Sequence, residues 1–241
     1  MKHALVTGSC VRTGRAIALR LARERWHVCV HGKPSCLESA EETARSCRHA
    51  GGGASVHLAD ISSLEGCREL ADSIDLPKLD LVVHNVGIYH TGPLLETDPD
   101  TWDRILRTNL DAPLHLTRLL VDRMPQGASI VNLGYVGVSK LAATSKTGAY
   151  SISKTGLLLL TRCLALELGP RGIRVNMVSP GQLANSVDLP EDIAKRVPLG
   201  RAGRVEEVAE AVAWLASDKA SYVTGQDLEV AGGLMMALRG Q

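Results

Sequence analysis

Short apolar runs recur along the chain and predict the strands of a buried sheet. They are four to six residues long and lie at 3–7, 27–31, 54–58, 79–84, 129–133, 173–178 and 227–230. The first six are mostly apolar on both faces, whereas a strand with one solvated face would alternate apolar and polar residues. This pattern is typical of parallel strands that helices cover on both sides.

The stretches between these runs repeat their apolar residues with a helical period. They lie at 14–25, 35–49, 62–74, 99–123, 148–168 and 205–217. Ser62 or Ser63 is placed to cap the third helix, and Asp98 precedes Pro99 at the start of the fourth. Because strand and helix alternate throughout, the sequence predicts an α/β fold. We expect a single domain over residues 1–241, a doubly wound parallel sheet of the Rossmann type with helices on both faces.

Residues 181–204 interrupt this alternation. They show little strand pattern and contain two prolines. Ligands of open α/β sheets bind outside the carboxyl ends of the strands. We therefore expect this segment to be a loop or short helix over that edge and to form a substrate-binding loop region.

The composition argues against two classes of partner. The 241 residues carry a formal net charge of only +1 and no basic block, which does not favour binding to nucleic acid or to a membrane surface. The most apolar stretch, 155–168, is interrupted by Arg162 and Glu167 and is too short to span a bilayer. The amino terminus enters a strand pattern directly. We expect a soluble, cytoplasmic protein with no nucleic-acid or membrane partner.

The cysteines and histidines form no metal-ligating pattern. None of the eight histidines is spaced with cysteine or aspartate as zinc ligands are, so we expect no metal. The six cysteines include no C-x-x-C pair, and we interpret them as small buried hydrophobic side chains in a reducing compartment. They are Cys10, Cys29, Cys36, Cys47, Cys67 and Cys163.

A glycine-rich turn follows the first predicted strand and opens the first helix. Gly8 lets the chain leave the strand sharply, and Gly14, six residues later, lets the helix start close to a ligand. Free N–H groups and the helix dipole at such a turn bind a pyrophosphate. We predict a dinucleotide site here that also includes Thr13.

Arg12 and the end of the second strand favour one nicotinamide cofactor over the other. That strand end carries His31, Lys33 and Ser35 and no carboxylate. A carboxylate there would bind the ribose hydroxyls and repel a 2′-phosphate, whereas Arg12 and Lys33 would attract it. We predict NADPH rather than NADH. The alternative is that both cations are solvated surface charges.

Tyr150 and Lys154 have the spacing of a proton-transfer pair. They are four residues apart and share one face of the predicted helix. A phenol has a pKa near 10, and a cation a few ångströms away stabilises its phenolate. We predict that Lys154 lowers the pKa of Tyr150 and that the phenol exchanges a proton with a substrate.

Seven motifs occur in a familiar order. After Gly8 and Gly14 come "LADIS", "HNVG", "RTNLDAP", "YSISK", "NMVSPGQ" and "YVTGQDLEVAGG". Together they resemble the short-chain dehydrogenase/reductase family over essentially the whole chain. The resemblance implies a reductase with a nicotinamide cofactor and a small-molecule substrate. It also implies a homo-oligomer, a tetramer or a dimer, whose dimer seam uses the helices at 99–123 and 148–168.

The resemblance assigns roles to residues of these motifs. Two would catalyse: Tyr150 as proton donor or acceptor, and Lys154, which would also hold the nicotinamide ribose. Asn109 would interrupt its helix and anchor a water in the proton path. The others would contact or shape the cofactor site: Asp60 at the adenine amino group, Asn85 and Gly87 at the sheet edge, and Pro180 and Gly181 beside the nicotinamide.

Two departures from the family pattern concern the site. Arg12 replaces the usual middle glycine, which is similar to the pteridine and dihydromonapterin reductases; those enzymes reduce ring C=N bonds with NADPH. The family's hydroxyl partner of the tyrosine is missing from its usual place, which reads Gly134-Tyr135. We favour Tyr135 as its replacement, and the alternatives are Ser139, Thr144 and Ser145.

We therefore predict an NADPH-dependent reductase that transfers hydride to a carbonyl or to a pterin-type C=N bond. The alternatives are a 3-oxoacyl-carrier-protein reductase, for which Arg201 and Arg204 would offer a basic patch, and a non-catalytic NADP(H)-binding regulator. Substrate choice is expected to depend on loops 88–97, 135–148 and 181–200.

Overall fold

Seven parallel strands form one sheet in a computed structural model that describes residues 1–141 and 145–235. The sheet order is β3-β2-β1-β4-β5-β6-β7. The strands are β1 His3–Val6, β2 His27–Gly32, β3 Gly53–Leu58, β4 Leu81–His84, β5 Ser129–Leu133, β6 Arg174–Pro180 and β7 Asp227–Val230. The predicted doubly wound parallel sheet is confirmed, and each predicted strand lies within two residues of its observed limits.

Helices cover both faces of the sheet and bury two aliphatic clusters. They are α1 Arg12–Arg23, α2 Leu37–His49, α3 Leu64–Ser73, α4 Pro99–Leu106, α5 Ala112–Leu120, α6 Gly148–Leu168, α7 Ile193–Arg196 and α8 Val205–Ala216. Side chains of α1, α2 and α8 fill the cluster on one face, and those of α3, α5 and α6 fill the cluster on the other. The strands are apolar on both faces because each face meets a helical layer.

The strand order reverses beside β1, and this places the site. Val6 at the end of β1 is paired with Val30 of β2 and with Val83 of β4, while His84 is paired with Asn132 of β5. The carboxyl ends of these strands therefore lie level at one edge. Ligands of doubly wound sheets bind where the order reverses.

The helix predicted at 99–123 is divided into parts. Asp98 caps α4 by accepting the N–H of Thr101 at 2.9 Å, as predicted, with Pro99 in the first turn. A π-helical segment, Arg107–Asp111, then precedes α5. Pro113 explains the change, because it has no N–H to bond the Asn109 carbonyl as an α-helix requires. The helix predicted at 99–123 is thus present, with the interruption that the family resemblance places at Asn109.

Residues 181–204 follow β6 as a loop that contains the short helix α7. Its two ends are held together, because Ala184 N–H donates to the Gly203 carbonyl and Gly203 N–H donates to that of Gln182. The segment lies at the carboxyl edge, where Gly181 N–H donates to the Val230 carbonyl. In the described part of the chain, no helix has both the length and the apolar character needed to cross a membrane.

Candidate active site

The turn after β1 is fixed by its glycines and by one amide. Gly8 has a φ of +63°, in the left-handed region. A Cβ added to Gly14 would lie 2.2 Å from the Gly8 carbonyl oxygen, so only glycine lets α1 start this close to the turn. Asn85 Nδ2 donates to the carbonyls of Thr7 and Gly8 at 2.9 and 3.1 Å. These contacts hold the turn against the loop after β4.

The amino terminus of α1 is suited to an anion. Val11 at the N-cap has no side-chain acceptor, and the first turn contains no acidic residue. The N–H groups of this turn, which includes Arg12 and Thr13, therefore present the positive end of the helix dipole without a capping side chain. A dinucleotide's pyrophosphate fits this chemistry.

The ring of His31 lies inside the protein. It is 1% exposed, and its Nδ1 accepts the Gly8 N–H at 3.1 Å, while its Nε2 lies 3.2 Å from the Ala59 carbonyl oxygen. Burial lowers the pKa of His31 to about 4, so the ring is neutral at pH 7. This environment does not fit the predicted contact between His31 and a cofactor. The ring instead supports the glycine turn.

Lys33 and Asp60 meet at the carboxyl ends of β2 and β3. The Lys33 ammonium lies 3.0 Å from Asp60 Oδ2, and both side chains are about half exposed. Burial alone would raise the pKa of Asp60, but hydrogen bonds from Ser62 and Lys33 lower it overall. Ser35 is exposed in the turn that follows Lys33. Two predicted cofactor residues thus contact each other.

Arg12 points toward the loop after β6. It has a φ of +53° at the start of α1, and its guanidinium donates to the carbonyl of Asn185. Arg12 and Tyr150 line the same pocket. The side chain of Arg12 was predicted to lie near the adenosine ribose. In the structure it instead crosses the cleft to the 181–204 loop.

Lys154 is buried beneath the site. Its side chain is 3% exposed, and its Nζ donates to the Leu133 carbonyl at 2.7 Å. Burial lowers the pKa of Lys154 to about 8. A Cβ added to Gly87 would lie 3.2 Å from this Nζ, so glycine gives the lysine its space. An amine that is still mostly protonated at pH 7 therefore lies buried at the ends of β4 and β5.

Asn109 ties the π-helical segment to its neighbours. Its Oδ1 accepts the Ile88 N–H at 2.7 Å, and its Nδ2 donates to the Ile88 carbonyl and to Ser153 Oγ, both at 3.0 Å. The expected interruption of helix geometry at Asn109 is present. Its amide is used for structure, so any role in proton transfer remains a prediction.

Tyr150 stands in the first turn of α6 and faces a pocket of about 370 Å³. The ring of Tyr89 packs edge-on against it at 5.1 Å between centroids, and that of Tyr135 lies at 5.5 Å. Pro180 and Gly181 also line this pocket. Three of the chain's four tyrosines therefore surround one cavity at the carboxyl edge of the sheet.

The pKa of Tyr150 is raised, which is opposite to the prediction. Burial is the main cause, and Tyr135, Tyr89 and the carboxylate of Asp188 add to it. The Lys154 ammonium, whose Nζ donates to the Leu133 carbonyl, is not among the groups that shift the pKa of Tyr150. In this conformation Tyr150 keeps its proton at neutral pH.

The comparisons with known proteins agree with this geometry. The family described as Enoyl-(Acyl carrier protein) reductase matches residues 13–235. The chain is 36% identical to 3beta-hydroxysteroid dehydrogenase 1 of Eggerthella lenta, covering 98% of this chain and 94% of the relative. It is 32% identical to a 3-oxoacyl-(acyl-carrier-protein) reductase of Staphylococcus aureus, covering 98% of each. The chain belongs to the short-chain dehydrogenase/reductase family.

A solved short-chain reductase shows how far the likeness extends. The landomycin C-6 ketoreductase with bound NADP and rabelomycin superposes with a TM-score of 0.90 at 29% identity, covering 98% of this chain and 97% of that one. Family membership makes this chain an oxidoreductase, and the predicted resemblance is confirmed.

The position of the family's hydroxyl partner is filled in an unusual way. A Cβ on Gly134 would lie 2.5 Å from Met177 Sδ and 2.6 Å from Ser179 Oγ, so a side chain there would meet β6. The next residue, Tyr135, lines the pocket beside Tyr150. Tyr135 therefore presents a phenol to the pocket beside Tyr150, and its role as the replacement stays a prediction.

The other hydroxyl candidates are less well placed. Ser139 lies beside the Asp227 carboxylate. Ser145 is exposed and does not line the pocket. Thr144 lies outside the described residues. Of the candidates within the described residues, Tyr135 is the one that lines the pocket.

Several pocket residues were not predicted. Tyr89 donates its hydroxyl to Asp188 Oδ2 at 2.7 Å and so joins the loop after β4 to the loop after β6. Thr147 and Gln182 also line the pocket. The sequence did contain a signal for Tyr89. Aromatic residues are scarce in this chain, and this tyrosine comes two residues after "HNVG", at the sheet edge where ligands bind. Asp188, in an irregular loop, gave no signal.

Proposed function

We propose that this protein is an NADPH-dependent ketone reductase in which Tyr150 gives the proton. One observation carries the proposal: the phenol of Tyr150 faces a pocket at the same sheet edge as the uncapped glycine turn and the buried Lys154. NADPH, when bound, supplies the hydride to the carbonyl carbon. The chain must then position the ketone, exclude water and protonate the oxygen.

The state of Tyr150 fits reduction better than oxidation. Its raised pKa keeps the phenol protonated at neutral pH, so it is an acid ready to donate to the developing alkoxide. Lys154 adds a nearby positive charge that favours the phenolate formed after donation.

Arg12 and Lys33 support a preference for NADPH over NADH. Asp60 is the carboxylate at the end of β3, and Lys33 already neutralises it. A 2′-phosphate would find a cation there, and a second one in Arg12 once its exposed guanidinium leaves the Asn185 carbonyl. The landomycin ketoreductase, a similar structure, was solved with NADP. We expect a lower KM for NADPH than for NADH and a loss of that preference in Arg12→Ala; preference for NADH in the unaltered protein would contradict the proposal.

The pocket favours a flat ring ketone as substrate. Tyr89, Tyr135 and Tyr150 present aromatic surface on three sides, and rigid rings bind such surfaces at little entropic cost. Two similar proteins have names or ligands of this kind, the hydroxysteroid dehydrogenase and the ketoreductase with bound rabelomycin. Pterins are also flat and remain a candidate class, their C=N bond taking the hydride.

A 3-oxoacyl-carrier-protein reductase is the second candidate, because a relative with that name covers nearly the whole chain. The predicted basic patch is weakened in the structure: Glu207 binds Arg201 at 2.5 Å and lies 3.8 Å from Arg204.

A non-catalytic regulator is the third alternative. NADPH consumption measured on polycyclic ketones, pterins and oxoacyl thioesters separates all three.

The decisive test of the chemistry is Tyr150→Phe. The phenyl ring keeps the contacts with Tyr89 and Tyr135 but has no proton to give. We expect kcat to fall by about 10²–10⁴-fold, with the Kd for NADPH, measured by its fluorescence, little changed. A rate within threefold of the unaltered enzyme would overturn the role of Tyr150.

We also propose self-association through α6. Ile152, Leu159 and Leu166 are 46%, 63% and 82% exposed and recur every seven residues, which places them on one helical face. A second copy of the chain would cover this stripe, and the family resemblance predicts a dimer or tetramer. Light scattering of the purified protein should give at least twice the monomer mass, and less for Leu159→Glu.

A further inference from the structure

Two cysteine thiols meet beside the glycine turn. Cys10 lies in that turn, and Cys36 ends the short turn after β2. A Cβ placed on Gly32 would lie 2.3 Å from Cys10 Sγ, 3.9 Å from Cys10 Cβ and 3.2 Å from Cys36 Cβ. The two side chains therefore border the same small volume, which Gly32 leaves open by having no side chain of its own.

The two thiols differ in access. Cys10 is 5% exposed, and its Sγ donates to the His31 carbonyl at 3.5 Å. Cys36 is half-buried and packs against the aliphatic cluster of α1, α2 and α8, to which Cys10 belongs. Burial, with the neighbouring Cys36 thiol, raises the pKa of Cys10 to about 11. Cys36 therefore differs from the expectation that the cysteines are small buried side chains. Cys163, for comparison, is exposed on α6.

We propose that Cys10 and Cys36 form a reversible disulfide whose formation weakens the binding of NADP(H), a coupling that rests on the function proposed above. The two side chains are neighbours: both Cβ atoms lie within 4 Å of one point, and the Cys36 thiol is near enough to hydrogen-bond with Cys10. Disulfide formation then requires Cβ atoms about 3.5–4.5 Å apart. Disulfides in reducing compartments are usually transient or redox-sensing.

The oxidant is hydrogen peroxide, and the half-buried thiol reacts first. The Cys36 thiolate attacks a peroxide oxygen, the O–O bond breaks, and Cys36 sulfenic acid and hydroxide are formed. The Cys10 sulfur then attacks the Cys36 sulfur, an S–S bond replaces the S–O bond, and water leaves with the Cys10 proton. Two thiols and one peroxide become one disulfide and two waters, so the sulfurs lose the two electrons that the peroxide gains.

The disulfide would act on the cofactor through its neighbours. Cys10 is two residues before Arg12, and Cys36 directly follows Ser35, which is two residues after Lys33. Those three residues are predicted to contact the phosphorylated ribose. Drawing the two sulfurs to bonding distance pulls the turn after β2 against the glycine turn and narrows the space between them.

The test compares oxidised and reduced forms of each variant. Full-length protein is treated with hydrogen peroxide or with dithiothreitol, the disulfide is mapped by mass spectrometry of peptides, and the Kd for NADPH is measured by its fluorescence. We expect a Cys10–Cys36 disulfide and a Kd at least tenfold weaker, both reversed by dithiothreitol. In Cys36→Ser, the Kd for NADPH should be the same after peroxide treatment as after dithiothreitol. Cys163→Ser is the matched control and should behave like the unaltered protein.

Two outcomes would overturn the inference: oxidation of Cys36 to sulfinic acid without a bond to Cys10, or a mapped disulfide with an unchanged Kd. Failure of the proposed function looks different. In that case the reduced protein fails to bind NADPH at all, whereas the disulfide mapping, which needs no cofactor, still reports on the cysteine pair.

Discussion

The two sides of the cleft are built in different ways. One side, which we call the supporting side, consists of the glycine turn with Asn85, Asn109 and Lys154, whose polar atoms are bound to backbone groups of neighbouring strands and loops. The other, the pocket side, consists of Tyr89, Tyr135, Arg12 and the loop that carries Asn185 and Asp188. Tyr89 and Arg12 each reach that loop through a single bond formed at the surface.

The contrast shows where rigidity and adaptability lie. Asn109 and Lys154 on the supporting side are buried and Asn85 is half-buried. Because a buried group that loses its partner costs about 1–3 kcal/mol, this side favours one arrangement. Exposed hydrogen bonds on the pocket side exchange with water at little cost. The supporting side therefore suits a constant cofactor, and the pocket side suits a substrate that differs from one relative to another.

The largest expected effect concerns the charge buried on the supporting side. The pKa of Lys154 is lowered from 10.5 to about 8 by burial, so the unfolded chain binds its proton more tightly. The folded protein carries this penalty in full below pH 8 and is relieved of it as pH rises toward 10.5. We expect the free energy of unfolding of the unaltered protein, relative to Lys154→Met, to increase by about 3 kcal/mol between pH 7 and 10.5.

Urea titrations at several pH values measure this difference, and other titrating groups cancel between the two proteins. Lys195→Met, at an exposed position on α7, is the matched control and should show no pH-dependent difference from the unaltered protein. If the difference in unfolding free energy between the unaltered protein and Lys154→Met does not change with pH, water reaches the Lys154 ammonium and the supporting side is hydrated.

On the supporting side, sequence reasoning named residues that the structure brings together, and their roles toward a cofactor stay predictions. The spacings of Gly8, Gly14 and Lys154 are set by a strand end or a helix turn that the apolar pattern reveals, whereas Asn85 and Asn109 were named from the family resemblance. The predicted cofactor contact of His31 did not fit, because the direction of a side chain depends on the three-dimensional fold. The pattern shows that His31 is in a strand but not that its ring turns inward to bind Gly8.

The pocket side could not be predicted in the same way. Tyr89 and Asp188 are 99 positions apart and are joined only by the fold. Arg12 was recognised as a cation near the cofactor, but its direction depends on where the loop with Asn185 lies. Irregular loops have no period, so their side-chain directions follow from packing rather than from local sequence.

The second prediction breaks the glycine turn itself. In Gly14→Ala the new Cβ would lie 2.2 Å from the Gly8 carbonyl oxygen, so α1 or the turn must shift. We expect a loss of about 2 kcal/mol in unfolding free energy and at least a tenfold weaker Kd for NADPH, measured by denaturation and by fluorescence. Gly169→Ala is the matched control, because a Cβ there meets nothing within 4 Å. Equal behaviour of the two variants would show that the turn adapts and is not fixed.

The third prediction tests whether the phenol of Tyr135 replaces the family's hydroxyl partner. Tyr135→Phe keeps the ring beside Tyr150 and removes the hydroxyl. We expect kcat to fall by about tenfold, equivalent to about 1.4 kcal/mol of barrier, with little change in the Kd for NADPH. Tyr222→Phe, at a fully exposed tyrosine, is the control and should have no effect. An unchanged kcat in Tyr135→Phe would assign that residue to packing alone.

The smallest effect is expected where the pocket side is held by one exposed bond. Tyr89→Phe removes the hydrogen bond to Asp188 but leaves the ring packed on Tyr150. An exposed bond of this kind contributes about 0.5–1.5 kcal/mol, so we expect KM for a ring ketone to rise two- to tenfold while kcat stays within twofold. Asp188→Asn should act less, since its amide oxygen still accepts from the phenol. If Tyr89→Phe instead lowers kcat as much as Tyr135→Phe does, the loop after β6 is part of the supporting side, because its position then governs proton transfer as well as substrate affinity.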